Sequence, residues 1–292
     1  MVGLVLMAVV IVACYASVLS HLAARWSIEP NYSHGFLVPF VSVWLLWHRR
    51  GLVESVKAPM HGRWLGVALL VSSVVVRLVA AYCGFVLAEP VALILCIAGA
   101  TALVGGFSAL NWAWPAIVFL LFMIPLPGAL ASRLGGPLQH AATLGSTYVL
   151  QTLGIPAVAS GNVICLTHGR IGVAEACNGL GMLTTFGAVT MAAVFLLKLS
   201  AWENACVLAS SVGIAIVANI FRISATGVAQ DLIGVEFAER FFHDFAGLVM
   251  VPLALLLLGV EVFLLAKLFP RMPAGPLVVV RQSARPATSA RV

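Results

Sequence analysis

Charge is what this chain has least of. Only 9% of its 292 residues are Asp, Glu, Lys or Arg, against 62% hydrophobic, a balance that excludes an ordinary soluble domain. The strict apolar-polar alternation of a barrel strand is also missing. The apolar runs are instead long, about the 20 residues that a helix needs to cross a hydrocarbon layer of about 30 Å. The composition therefore implies an all-α integral membrane protein. No basic residue precedes I-V-A-C at residues 11 to 14, whereas a signal peptide needs a positive n-region, so the first run is read as a retained helix. The six cysteines show no metal or disulfide spacing, and Cys14, Cys83, Cys96 and Cys206 sit in or beside apolar runs, where cysteine behaves as a small hydrophobe. No metal and no cofactor is expected. The net charge of +6 is scattered over short connections and a terminal tail, without an aromatic-interleaved patch, which argues against nucleic acid.

Hydropathy places spans near residues 2 to 23, 34 to 48, 64 to 82, 86 to 104, 112 to 124, 178 to 199, 204 to 227 and 246 to 269, a bundle of about eight transmembrane helices. The most basic short loop is 50 to 63, with Arg49, Arg50, Lys57 and Arg63. By the positive-inside rule it is cytoplasmic, which puts both termini inside. The same assignment brings Lys198, Lys267, Arg271, Arg281, Arg285 and Arg291 inside and leaves Arg25, Arg133, Arg170 and Arg240 outside. Residues 1–270 then form one polytopic membrane domain, and 271–292 a disordered, basic cytoplasmic tail. No internal repeat is present.

The longest non-spanning stretch, Pro125 to Glu175, lies on the outer side. Its helical pattern from Ala129 to Leu153 aligns Leu130, Leu134, Leu138, Ala142 and Tyr148 on one face, as expected of an amphipathic helix lying at the interface or partly re-entering the bundle. The β-branched alternation around T-H-G-R, residues 167 to 170, reads as a small hairpin that delivers the chain to Cys177.

Three consecutive spans then present chemistry-bearing residues at the same membrane face. Cys177, in E-A-C-N-G-L, precedes span six, where the positive end of a helix dipole favours a thiolate. Asn219 and Arg222, three residues apart, share a face near the outer end of span seven, and His243 opens span eight. A thiolate attacks a carbonyl, an imidazole moves the proton, and a permanent cation stabilises the oxyanion. Each residue also has a plainer reading. The cysteine can be packing, Arg222 can snorkel to headgroups, and His243 can cap its helix with Asp244. Glu175 fits a support of the turn better than catalysis, and Asn219 fits an interhelical hydrogen bond.

The order E-A-C-x-G-L, N-x-x-R and a histidine opening the last span resembles the exosortase/archaeosortase family of membrane cysteine transpeptidases. Upstream, Y-S-H-G-F-L-V-P (32 to 39), W-L-L-W-H-R-R (44 to 50), F-M-I-P-L-P (122 to 127), and G-I-P with G-N-V-I (154 to 164) resemble further family blocks in family order. The resemblance implies a polytopic enzyme that processes exported proteins with a C-terminal signal of a Pro-Glu-Pro motif, a hydrophobic span and a basic end. It implies Cys177 as nucleophile, Arg222 as electrostatic partner and His243 as general acid/base. The archaeal branch tends to carry arginine where His243 stands, so the chain is similar to bacterial members, placed in the inner membrane with the site at the periplasmic face. It departs from the family's usual C-S-G-L-R at Asn178 and Gly181. Membrane lipids, and a lipid or glycan acceptor, are the other expected partners.

Tyr32 and His34 occupy the first outer connection, where they either line a substrate entrance or anchor the interface. Arg77 lies within span three, where an ionisable group is costly and either contacts substrate or makes a structural pair. Glu261 in span eight raises the same question without an evident partner. Two rival classes are kept, a small-solute transporter and a non-catalytic scaffold of an exopolysaccharide or sorting system. A transporter predicts ionisable groups at the midplane of broken helices, often with an inverted repeat.

Overall fold

The computed structural model describes residues 2–55, 62–167, 169–173, 179–197 and 199–269. The expected tail at 271–292 lies outside them. Nine α-helices carry most of these residues: α1 Val2–Cys14, α2 Ala16–Ile28, α3 Leu37–His48, α4 Arg63–Cys83, α5 Ala88–Phe119, α6 Gly128–Thr152, α7 Gly179–Leu196, α8 Ala201–Ile233 and α9 Val235–Leu268. A three-stranded sheet, β1 Ala157–Ser160, β2 Val163–Leu166 and β3 Gly169–Gly172, interrupts them.

Length and composition qualify three of the described helices as spans, Arg63–Cys83, Ala88–Met123 and Ala201–Ile233, and a fourth if α1 and α2, bent by 67° at Tyr15, count as one. The expected count of about eight is therefore not met by length alone. Helix α3, for example, has 12 residues, about 18 Å against a layer of about 30 Å. Helix α5 is a special case. Straight, its 32 residues would extend about 48 Å. Yet Glu89 and Pro90 at its start line the same cavity, about 600 Å³, as Pro125 to Gly128 beyond its end. The chain reverses at Gly106 (φ 64°, ψ −158°), a conformation open to glycine. The two arms occupy the regions where the sequence predicts separate spans at 86 to 104 and 112 to 124.

The first arm packs antiparallel to α4 through small residues, as membrane helices do where backbones approach closely. A Cβ on Gly66 would lie 2.5 Å from the Leu103 backbone nitrogen, and one on Gly99 would lie 2.9 Å from that of Leu70. Backbone cannot swing aside as a side chain can. Gly66→Val is expected to destabilise the protein by about 3 kcal/mol, lowering the midpoint of a thermal melt in detergent. Gly213→Ala, where an added Cβ meets nothing within 4 Å, should leave the midpoint unchanged or raise it.

The second arm locks to α3 at one end and to α2 at the other. Arg49 Nε donates to the Trp112 carbonyl at 3.1 Å, and Trp112 Nε1 returns a bond to the Arg49 carbonyl at 3.0 Å. At the opposite end Trp26 Nε1 donates to the Met123 carbonyl at 3.0 Å. These helices enclose the larger core, which includes Leu22, Trp26, Val38, Leu45, Ile117 and Phe119.

Helix α6 occupies the predicted stretch but buries a different face. Leu130 and Leu134 are exposed, as is Tyr148 at 72%, whereas Ala142, Thr143, Ser146, Thr147 and Leu150 are buried. Small and hydroxyl-bearing residues let helices approach closely. Gly145 accordingly faces Ile220 of α8, and Gly227 of α8 faces Leu150.

The predicted hairpin is a three-stranded antiparallel meander in the order β1-β2-β3. Ser160 pairs with Val163, so Gly161 and Asn162 form a two-residue turn, and Gly161 (φ 61°) supplies the positive φ that such turns require at their first central position. Ala157, Ile164, Ile171 and Val173 pack with Ala142, Leu150, Ile155 and Ile223 into a second core. The sheet, the end of α6 and the C-terminal half of α8 thus form one cap at one end of the bundle.

Candidate functional site

Helix α8 links bundle and cap. Its start is fixed by a capping box, in which Ser200 Oγ accepts the Glu203 N–H and Glu203 Oε2 accepts the Ser200 N–H at 2.6 Å. From there it runs 33 residues, about 50 Å, longer than a layer of about 30 Å is thick, and its later turns reach the cap. Asn219, Arg222, Thr226 and Gln230 fall on one face of these turns, spaced three, four and four residues apart. Asn219 is 2% and Gln230 5% exposed, and among the described residues neither Asn219 Oδ1 nor Gln230 Oε1 has a hydrogen-bond partner. A buried unmet acceptor costs about 1–3 kcal/mol, and native folds keep few of them without a functional reason. Arg222 between them is half-buried, and its carbonyl accepts the Thr226 hydroxyl at 2.9 Å.

Asn219→Ala removes an acceptor that the fold leaves unmet. Unfolding stability is expected to change by less than about 1 kcal/mol, while the activity proposed below falls. A melt and a processing assay on the same preparation check both.

Two registers bring neighbouring helices to this stripe. Leu183 and Phe186 of α7 pack against Ala215 and Ala218 of α8, which sets Gly179, the start of α7, level with the turn bearing Arg222. On the other side Ser210 Oγ donates to Glu261 Oε2 of α9 at 2.7 Å. This supplies the partner that the sequence does not reveal for Glu261. Counted from that bond, the backbone of His243 lies about 9 Å further along the bundle than that of Arg222, at the cap end. Its side chain is outside the described residues.

Cys177, Glu175 and Asn178 also lie outside the described residues, but both flanks of their segment are defined. Before it, Val173 is fully buried against the core that contains Ile223, the neighbour of Arg222. After it, α7 begins.

The first connection reaches the same end. His34 Nδ1 and Thr185 Oγ1 of α7 are 3.3 Å apart, and Tyr32 is buried at 8% exposure. Burial pushes the Tyr32 phenol above the ordinary tyrosine range, and the nearby Glu29 carboxylate adds to the rise. Arg77 does not join this group. It stacks over the Tyr15 ring at 4.6 Å, and Tyr15 hydroxyl meets Ser73 Oγ at 2.7 Å, so its observed contact is the structural pair of the two readings.

The sequence reading identifies Asn219 and Arg222 but not the continuation of their stripe. The signal was the spacing of Thr226 and Gln230 down the same face. A polytopic helical bundle with a small sheet-bearing cap, and a polar stripe joining the two, is the class of protein these features define. A family model described as a transmembrane exosortase matches residues 26–260. The chain belongs to that family. No curated protein and no solved structure matches it.

Proposed function

We propose that the protein is a thiol-dependent endopeptidase or transpeptidase of a bacterial inner membrane, acting at the periplasmic face on exported proteins with a C-terminal Pro-Glu-Pro sorting signal. The substrate's own span enters the bundle laterally and brings its motif to the cap. Cys177 thiolate attacks the scissile carbonyl, Arg222 stabilises the oxyanion, and the C–N bond breaks as His243 protonates the leaving amine. The thioester is resolved by water, or by an amine or hydroxyl of a lipid or glycan acceptor. Asn219, and Glu175 and Asn178 beside the nucleophile, are assigned supporting roles, and Tyr32 and His34 line the approach.

The convergence of α7, α8 and the Val173 strand end on the turn bearing Arg222 carries this reading. Val173, before the segment holding Cys177, shares a core with Ile223, Leu183 and Phe186 of α7, beyond that segment, pack against Ala215 and Ala218 of α8, and His34 is tied to α7 one and a half turns beyond its start. Against the transporter reading, the stripe with unmet acceptors lies at one end of the bundle, beside the cap, whereas a carrier concentrates such groups at the midplane. Co-expression with an exported reporter carrying a Pro-Glu-Pro tail, comparing wild type and Cys177→Ala on a gel, tests the proposal. A processed band is expected with wild type alone, and equal processing by both would remove the nucleophile.

A further inference from the structure

Strand β3 is an edge strand. Among the described residues it pairs with β2 alone, and the Val173 N–H bonds to the Asn162 carbonyl at 2.9 Å. This bond fixes the alternation of the ladder. Gly169, Ile171 and Val173 direct their N–H and C=O groups at β2, whereas those of Arg170 and Gly172 point away from it. The Arg170 side chain is exposed, in one row with Cys165 and Val158 on the face opposite the buried Ile171. Among the described residues no carboxylate pairs with it. Beside the start of the same strand sits Gln230, whose unmet Oε1 lies 3.7 Å from where a Cβ on Gly169 would stand.

We propose that the sorting signal binds as a fourth, antiparallel strand on β3, with its glutamate opposite Arg170. This rests on the function proposed above, and it names the residue that reads the signal. An antiparallel pair that exchanges two hydrogen bonds uses the N–H and C=O of one residue on each strand, and the residues on either side point away. Pro-Glu-Pro suits that arrangement. The glutamate supplies both groups, and the prolines, which have no N–H, take the outward positions that an edge strand tolerates. Opposed residues of such a pair project their side chains to the same face, so the glutamate carboxylate meets the Arg170 guanidinium. Addition of a strand to an open edge is a general way of binding extended peptides, and here the edge leads directly into the Cys177 segment.

A charge swap in the full-length protein tests this, with reporters ending in Pro-Glu-Pro or Pro-Lys-Pro. Arg170→Glu is expected to slow processing of the Pro-Glu-Pro reporter at least about tenfold and to process the Pro-Lys-Pro reporter faster than wild type does. Wild-type processing of Pro-Glu-Pro by Arg170→Glu, or a loss that the Pro-Lys-Pro reporter does not relieve, would overturn the pairing. Arg170→Pro removes the outward N–H without touching the bonds to β2 and should also slow the Pro-Glu-Pro reporter. Unchanged processing would overturn strand addition. Cys177→Ala separates the two proposals. If it abolishes processing while the Arg170 variants do not affect it, only the strand fails; if it processes normally, the thiol mechanism fails.

Discussion

Replacing Cys177 by alanine should reduce reporter processing by about 10⁴-fold or more, to the uncatalysed background. Covalent catalysis divides one difficult acyl transfer into two easier ones, and Cys177 is the nucleophile proposed for the first. The remaining members of a triad rescue little once the nucleophile is gone, because they act as a unit. Cys177→Ser is expected to fall nearly as far, since the proposed mechanism needs a thiolate and a serine hydroxyl is hardly ionised at neutral pH. Protein yield and melting midpoint should match wild type for both variants. A melt and a time course in one detergent preparation measure this.

Arg222→Ala should reduce turnover by about 10²–10³-fold, the usual effect of deleting one preorganised oxyanion donor. Its predicted signature is a fall in kcat with little change in KM, because the charge it meets develops only in the transition state. Arg222→Lys is expected to recover part of the loss. The ammonium keeps the charge but not the planar, multidentate donor set of a guanidinium. A fall confined to KM would instead assign Arg222 to ground-state binding of the substrate.

How much was legible in advance varied with the physics behind each signal. The membrane class followed from the scarcity of charge, and the helical stretches at 64 to 82, 129 to 153 and 204 to 227 correspond to α4, α6 and α8. These rest on long apolar or periodic runs. The buried face of α6 was not legible from its leucines, because the close contact at Gly145 and the buried Thr143, Ser146 and Thr147 set that face against α8. The third strand escaped notice because Ala157 to Ser160 is short and lacks β-branched alternation. At the site, Asn219 and Arg222 were legible as a local i, i+3 pair. The placement of Gln230 and Arg170 was not, since it depends on how the cap seats β3 against the end of α8. Arg77 shows the reverse. Its position in an apolar run left open a substrate contact or a structural pair, and the Tyr15 ring that receives it is 62 residues distant in sequence.

The most direct test of the central claim is mass spectrometry of the acid-quenched reaction between the purified protein and a Pro-Glu-Pro reporter. The account predicts a hydroxylamine-labile acyl adduct on the peptide containing Cys177, absent in Cys177→Ala. Processing that proceeds with the adduct on another residue, or in the Cys177→Ala protein, would contradict it.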